Sequence, residues 1–573
     1  MYSETGMIAL YVIVLGILIS VCNEKNRKCL LANKHIYQIE KKLAKLQNGY
    51  WMAFALCMVF GILVRCWRFC DLPGGMNQDE TMAGLEAFSL LRTGRDHHGI
   101  SWPTYFKAWT TSQMSTLYSY YMIPFVWLFG DLNKLVLRLP ALLLNLSMLP
   151  LIWDLARRVI GKNYALLVLF VLATNPWHIM QGRWALEANM MPHVFLVAVY
   201  FLFVGRNSKP ALYLSMVFFG LAPYAYGVAS FSVPVFLAAA AIYYLGRKKA
   251  SALDLIVCIS IFASIAWPYY YTLAINAFGL ETLNIGVFTL PRFAESVRAE
   301  GLVFSQTNPF EFFTNSFSEH LDTYVFNRSV EQYNSIPWIG PMYGFMTPVF
   351  VYAIYRLWRD RREQARCLSD SGFRDGGFLL LAWLGAAVFN GIMVGGVINR
   401  NNVLYYPLIL LAAYGMYWVG RKMKTALAVL LAIVAVGFSG FCAVYFFDNE
   451  YQNRVEEAFY GGLHEALAEA WEIDCDRYYI TDIPDCHVMF AHKLDWEQVS
   501  DHVQVADSGG RRTDAYYSQK YIYVDFDEFE PDSREKAVYI VRIDEVDCFS
   551  DGEYTAERYG GYAVVYPRGS VVR

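Results

Sequence analysis

The sequence predicts a polytopic α-helical membrane protein of about 12 spans, with a small extracytoplasmic α/β domain at its C-terminal end. Three observations carry that reading. The 573 residues are 56% hydrophobic and only 17% charged, with a mean hydropathy of +0.28, a balance that one soluble core does not need. Apolar runs long enough to cross a hydrocarbon layer recur as far as residue 447. From Asp448 onward the chain turns polar and alternates short helical and strand patterns.

The first run, Met7 to Cys22, precedes Lys25, Arg27, Lys28, Lys34, Lys41, Lys42 and Lys45. Basic residues that follow an apolar run mark an uncleaved anchor with its amino terminus outside, because a signal peptide carries its charges ahead of the run. Residues 1–47 are therefore expected to form this anchor and a basic cytoplasmic loop. Further spans are expected near residues 48–66, 136–153, 163–180, 187–204, 211–227, 229–246, 252–275, 339–357, 376–396, 402–419 and 425–447. This order puts Arg157-Arg158, Arg206 with Lys209, Arg247-Lys248-Lys249, Arg356 to Arg366, and Arg421-Lys422-Lys424 on the cytoplasmic side.

A transmembrane domain then covers 48–447, with long external segments at 67–135 and 276–338. Within the first of these, Thr116 to Phe129 is too short to span and is expected to lie along the membrane surface. The tail, 448–573, has a helix-like stretch from Arg454 to Trp471. Strand-like stretches follow at Arg477–Ile480, Tyr521–Val524, Ala537–Arg542 and Ala563–Tyr566.

The net charge is −3 and the pI about 6.4, so nothing global suggests nucleic acid as a partner. The eleven cysteines form no CxxC pair. Cys22, Cys57, Cys258 and Cys442 sit in apolar runs as small hydrophobes. Only Cys475, Cys486 and Cys548 fall in the tail, an odd number that makes no complete disulfide framework. His97-His98 beside Asp96 reads as a solvated loop pair, since consecutive histidines in regular structure do not easily share an ion. Asp474-Cys475-Asp476 and Asp525-Phe526-Asp527 imitate a metal-binding DxD string, yet turns and strand ends make such strings common. No metal or other cofactor is expected. Trp102, Tyr105, Phe106 and Trp109 could stack on a sugar ring or belong to an interfacial aromatic belt.

The chemistry points to Asn77-Gln78-Asp79-Glu80, which follows the apolar run Trp51 to Val64 on the expected outer face. Acids at the edge of a span are costly to desolvate and usually face a polar cavity. The same residues would also suit the first turn of a helix over Thr81 to Leu91, where they complement its dipole.

The order of Asn77-Gln78-Asp79-Glu80, Leu90-Leu91-Arg92-Thr93-Gly94-Arg95-Asp96, Leu117-Tyr118-Ser119-Tyr120 and Arg138-Leu139-Pro140 resembles the first external loop of glycosyltransferase family 39-like membrane proteins. That GT-C group includes the protein O-mannosyltransferases and the aminoarabinose transferases. Asn175-Pro176-Trp177, Arg183-Trp184-Ala185-Leu186-Glu187 and Asn399-Arg400 to Pro407 are similar to its later landmarks, so the resemblance spans about residues 48 to 420.

The resemblance implies a GT-C-like fold and transfer of a sugar from a polyprenyl-phosphate donor to a glycan, protein or lipid acceptor. The reaction would take place on the outer face of what is expected to be a bacterial plasma membrane. Asp79 matches the catalytic acid position and is expected to be the general base of an inverting displacement, because an attacking hydroxyl needs a carboxylate to accept its proton. Glu80 is a second catalytic candidate, although adjacent helical residues point about 100° apart.

Arg400, with Tyr405 close behind it, is the first candidate for the departing phosphate, since a guanidinium can contact two oxygens together. An anchoring interfacial arginine would look the same. Arg183 and Glu187 lie four apart and could bind substrate or simply pair with each other. Lys107 and Arg138 complete the set. Related transferases carry Lys-Pro-Pro ahead of the interfacial helix, where this chain has Thr110-Thr111-Ser112-Gln113-Met114-Ser115. The rival readings are a transporter or flippase for lipid-linked saccharides and a non-catalytic assembly factor. Against the first, the acids cluster on one outer loop and the two halves show no similarity.

Overall fold

The computed structural model describes residues 4–45, 49–108, 112–293, 308–328, 333–364, 371–395, 397–500, 505–508, 511–514, 521–526, 528–550 and 552–570. Trp109, Thr110, Thr111 and Asp527, and parts of the segment 276–338, lie outside these residues.

Among the described residues, eight helices are long and apolar enough to cross a membrane: Thr5–Cys22, Lys134–Val159, Glu187–Gly205, Ala229–Gly246, Ala252–Phe278, Gly372–Val394, Asn399–Lys422 and Lys424–Phe447. Tyr50–Cys66, Lys162–Ala173, Lys209–Ala225 and Thr347–Gln364 occupy the remaining predicted spans. The chain is a multi-pass membrane protein. Its centre is built from Glu187–Gly205 and Asn399–Lys422, each 78% buried, whereas Thr5–Cys22, Ala252–Phe278 and Lys424–Phe447 are 22% buried and form the rim. The two central helices are also the ones that carry Glu187 and Arg400 at their ends.

Two predicted spans are corrected. The helix expected over 163–180 stops at Ala173; Asn175 then accepts a hydrogen bond from the His178 N–H and Pro176 opens a separate turn, Pro176–Gln181. Proline suits a first helical position and cannot continue the preceding ladder. The helix expected from 339 begins only at Thr347, because Gly340 is left-handed at φ +72° and the Pro341 carbonyl is engaged by the Trp177 N–H.

The run Leu117–Phe129 is a separate 13-residue helix whose tip, Trp127 and Leu128, is about 70% exposed. An exposed apolar tip fits a helix bordering the hydrocarbon.

The tail contains a five-stranded sheet in the order Tyr554–Tyr559, Tyr562–Pro567, Ala537–Arg542, Arg477–Ile480, Tyr521–Tyr523. The first two pairings are antiparallel and the last two parallel. Period-two alternation gives it two buried faces. Tyr478, Ile480, Val538, Ile540 and Val564 join the core that runs on into the membrane domain. Tyr479, Tyr539, Val541, Ala563 and Val565 pack on Phe526 and Phe549 instead.

The helix expected over Arg454–Trp471 is two, Asn449–Ala458 and Leu463–Glu472, broken where Gly462 takes φ +89°. Gly461 and Gly462 admit the returning strand turn at Tyr559–Gly560 so closely that a Cβ on Gly462 would sit 1.9 Å from the Tyr559 carbonyl oxygen. Of the tail's cysteines, Cys475 and Cys486 are buried and Cys548 is exposed. Asp474 pairs with Lys536 and the Asp476 N–H with the Lys536 carbonyl, so this DxD string is tied into the strand edge.

Candidate functional site

Asn77 begins the motif helix, Gln78–Thr93, by accepting a hydrogen bond from the Asp79 N–H at 2.9 Å, while Glu80 Oε1 reaches back to the Asn77 N–H at 2.8 Å. This capping box satisfies donors that a helix start leaves without partners.

Glu80 is fully buried and its carboxylate is saturated. Arg138 Nε and Nη2 donate to it at 3.0 and 2.6 Å, and the Ala185 N–H at 3.1 Å. Arg138 spends its other donors on the Pro73 and Gly75 carbonyls at 2.8 and 3.0 Å. A buried carboxylate so paired holds the loop, the motif helix and the Lys134–Val159 span together. Asp79, one residue earlier and about 100° round the helix, is instead half-buried.

The other candidates are placed as follows. Arg183 is fully buried and donates to the carbonyls of Val64, Arg65, Trp67, Arg68 and Leu72, closing the end of Tyr50–Cys66. It does not pair with Glu187 as its spacing suggested, because the helix starts only at Glu187 and Arg183 lies in the turn before it. Glu187 accepts from the Ser115 N–H, and Ser115 Oγ in turn receives the Gly227 N–H at 3.2 Å.

Tyr405 is buried, stacks on Trp177 at 4.5 Å between ring centroids, and lies 3.4 Å from the Tyr324 hydroxyl. Trp177 Nε1 donates to Asn402 and Gln181 Nε2 to Asn399, so the two distant landmark strings meet. Arg400, beside them, is exposed. Lys107 is half-buried on a short strand, Phe106–Ala108, opposite Gln113. Arg138 and Arg183 thus brace the fold, and Lys107 and Arg400 are the candidate cations with solvent access.

The C-terminal domain closes over the motif helix. Asn77 Nδ2 donates to the Ala458 carbonyl at 3.3 Å, Tyr460 to Gln78 Oε1 at 3.4 Å, and Thr81 Oγ1 lies 3.2 Å from Cys486 Sγ. A Cβ on Gly75, at φ +64°, would meet the Phe459 carbonyl oxygen at 2.1 Å. Burial, with Asp485 and Asp79 nearby, keeps the Cys486 thiol well above its ordinary value, against the hydrogen bond from Thr81, which lowers it.

Sequence reasoning missed one cluster and misread another. Arg65, at the end of an apolar run, is fully buried and bridges Asn145 and His178; His178 meets the Tyr406 hydroxyl at 3.0 Å, and that hydroxyl meets His193 at 2.8 Å. A lone arginine in a span was the available signal. The second is Glu86, Asp96, His97 and His98. His97 is not solvated as expected but 6% exposed, with its ring against Glu86. Burial alone would lower His97; the Glu86 carboxylate holds it above its ordinary value. Burial and Glu86 push Asp96 up to about 7.

Two cavities flank the molecule. One of about 360 Å³ is lined by Asn308, Glu311, Asn315, Ser316 and Glu319 beside Gly395. An apolar one of about 310 Å³, between Leu202, Met216, Ala241 and Phe262, opens near the far end of the Glu187–Gly205 helix, roughly 22 Å from Glu187 by helical rise.

The fold that presents this site is that of the GT-C membrane enzymes. The chain is similar to ArnT of Cupriavidus metallidurans bound to undecaprenyl phosphate, with a TM-score of 0.50 and 15% identity over 91% of this chain and 98% of that one. It is similar to the apo state of the same protein at 0.50 and 14%, covering 90% and 98%. The oligosaccharyltransferase AglB of Archaeoglobus fulgidus, in complex with an inhibitory peptide and a dolichol-phosphate, gives 0.42 and 12%, covering 78% and 59%. No protein-family model matches the chain, and no curated sequence matches it.

Proposed function

We propose that the protein is a membrane glycosyltransferase that moves a sugar from a polyprenyl-phosphate donor to an acceptor on the outer face of the membrane, with Asp79 as general base. The observation that carries this reading is the division of labour within the motif. Glu80 is consumed by Arg138 and two backbone N–H groups, and Asp79 stands beside it on the more open side of a helix N-terminus. There the helix dipole favours the charged carboxylate that a base requires.

The carboxylate accepts the proton of the acceptor hydroxyl as that oxygen bonds to the anomeric carbon. The bond from that carbon to the phosphate oxygen breaks with inversion, and polyprenyl phosphate leaves with the electron pair. Lys107 and Arg400 are the cations assigned to its charge. Glu80, Arg138, Arg183 and Glu187 act as positioning residues and Tyr405 braces the Arg400 turn. A monophosphate leaving group carries less charge than a nucleotide diphosphate, so this step is proposed to run without a metal. The undecaprenyl phosphate bound to ArnT supports a lipid phosphate as the donor's leaving group.

Mass analysis of envelope glycans and lipid-linked sugars, with and without the protein, tests the proposal. A transferase leaves an outer glycan lacking one sugar and its lipid-linked donor accumulating on the outer leaflet. A flippase leaves the donor trapped on the inner leaflet, and an unchanged inventory contradicts both.

A further inference from the structure

The turn after the motif helix carries a second site. Gly94 ends the helix at φ +72°, and Asp96 Oδ1 then accepts the N–H groups of His98 and Ile100 at 3.0 and 2.7 Å. Gly99, at φ +81°, closes the turn beneath Trp496 of the C-terminal domain. This irregular backbone removes the objection that regular structure raises against neighbouring histidines. The two imidazole rings lie 3.9 Å apart and both approach Glu86, two turns along the helix from Asp79. One ligand atom from each of Glu86, His97 and His98 falls within 4.8 Å of the others.

Two further facts point to a cation-binding role. His98 Nδ1 and Asp96 Oδ2 are buried with no hydrogen-bond partner among the described residues, and Glu86 and Asp96 are both fully buried. Orphaned polar atoms and neighbouring carboxylates in a low-dielectric place are unfavourable unless something satisfies them. Two imidazoles and one carboxylate form a donor set suited to a borderline divalent ion such as Zn²⁺.

We propose that Glu86, His97 and His98 bind one divalent transition-metal ion, with Asp96 as the carboxylate that orients the turn and offsets its charge. The ion fastens the loop leading to Lys107 onto the motif helix. The site is separate from Asp79 and does not depend on the transfer reaction.

The test uses the full chain in detergent, stripped with chelator and titrated with Zn²⁺ alone by calorimetry, with Mg²⁺ and Mn²⁺ in parallel. Wild type binds one equivalent of Zn²⁺ and its melting temperature rises on addition. His98→Asn, at a half-exposed position with an unpartnered nitrogen, keeps the fold and weakens binding by at least about 100-fold, the upper range for loss of a mere outer partner. Glu86→Gln does the same. Absence of saturable Zn²⁺ binding to wild type overturns the proposal, as does unchanged binding in a folded His98→Asn protein, which would place the ion elsewhere.

Discussion

At the scale of single residues, the Asp79-Glu80 pair shows how one helical step gives adjacent acids different surroundings. Glu80 holds four donors and is inaccessible, so its removal should be read in stability. Glu80→Gln leaves the Arg138 guanidinium buried without its counter-charge, at a cost of about 3–5 kcal/mol. A Glu80→Gln, Arg138→Met double-mutant cycle, followed by thermal melting in detergent, should return a coupling of about 0.5–3 kcal/mol; additive losses would refute the pairing. Lys107 should behave oppositely: Lys107→Met melts as wild type, yet loses a charged hydrogen bond of about 1.5–3 kcal/mol in the proposed donor complex. That is roughly a 10- to 100-fold fall in transfer. The acids were legible in the sequence because a charged pair interrupts an apolar pattern. Their different surroundings were not, since the partners of Glu80 lie 58 and 105 residues away.

At the scale of elements, apolar length located the helices, and local chemistry decided where they stop. Asn175-Pro176 and Gly340-Pro341 carry the punctuation that shortens two predicted spans, and Gly461-Gly462 splits a predicted helix. Arg183 and Glu187 were spaced for an ion pair, but that inference holds only inside one helix, and the helix begins at Glu187. The strand Tyr554–Tyr559 escaped notice because only Tyr554 is buried and Glu557 and Arg558 are exposed, so no alternation marks it. The His97-His98 turn was likewise misjudged, since only the Asp96 side-chain bonds and the left-handed Gly99 bring those rings inward.

The landmark strings, read singly as short motifs, prove to converge. Ala185 meets Glu80, Glu187 meets Ser115, and Trp177 meets Asn402 and Tyr405.

At the scale of the whole molecule, the C-terminal domain is the part whose role the sequence hid, because its contacts with the motif helix join residues nearly four hundred positions apart. Two features make this docking testable. Gly75→Ala forces a Cβ at positive φ against the Phe459 carbonyl, a strain of about 1–3 kcal/mol, and should increase proteolysis of the tail while leaving membrane insertion intact.

The neighbouring His464 and His487, 3.1 Å apart, are held low by burial, His464 at about 3 with Lys134 contributing, and His487 well below its ordinary value with His464 contributing. Opened chain therefore binds more protons than docked chain. The stability this pair lends is present above pH 6.5 and is lost progressively as the pH falls toward 3. Tail proteolysis should rise from pH 7 to pH 5 in wild type and more weakly in His464→Gln; an identical rise in both would exclude the pair.

The central claim is that Asp79 takes the acceptor's proton, and the most direct measurement compares wild type with Asp79→Asn in cells otherwise lacking the protein. The outer glycans are read by mass spectrometry and the purified proteins by melting temperature. The account predicts equal insertion and melting, with sugar transfer reduced by about 10²- to 10⁴-fold in the variant. A normally folded Asp79→Asn protein that restores the glycan as fully as wild type would contradict it.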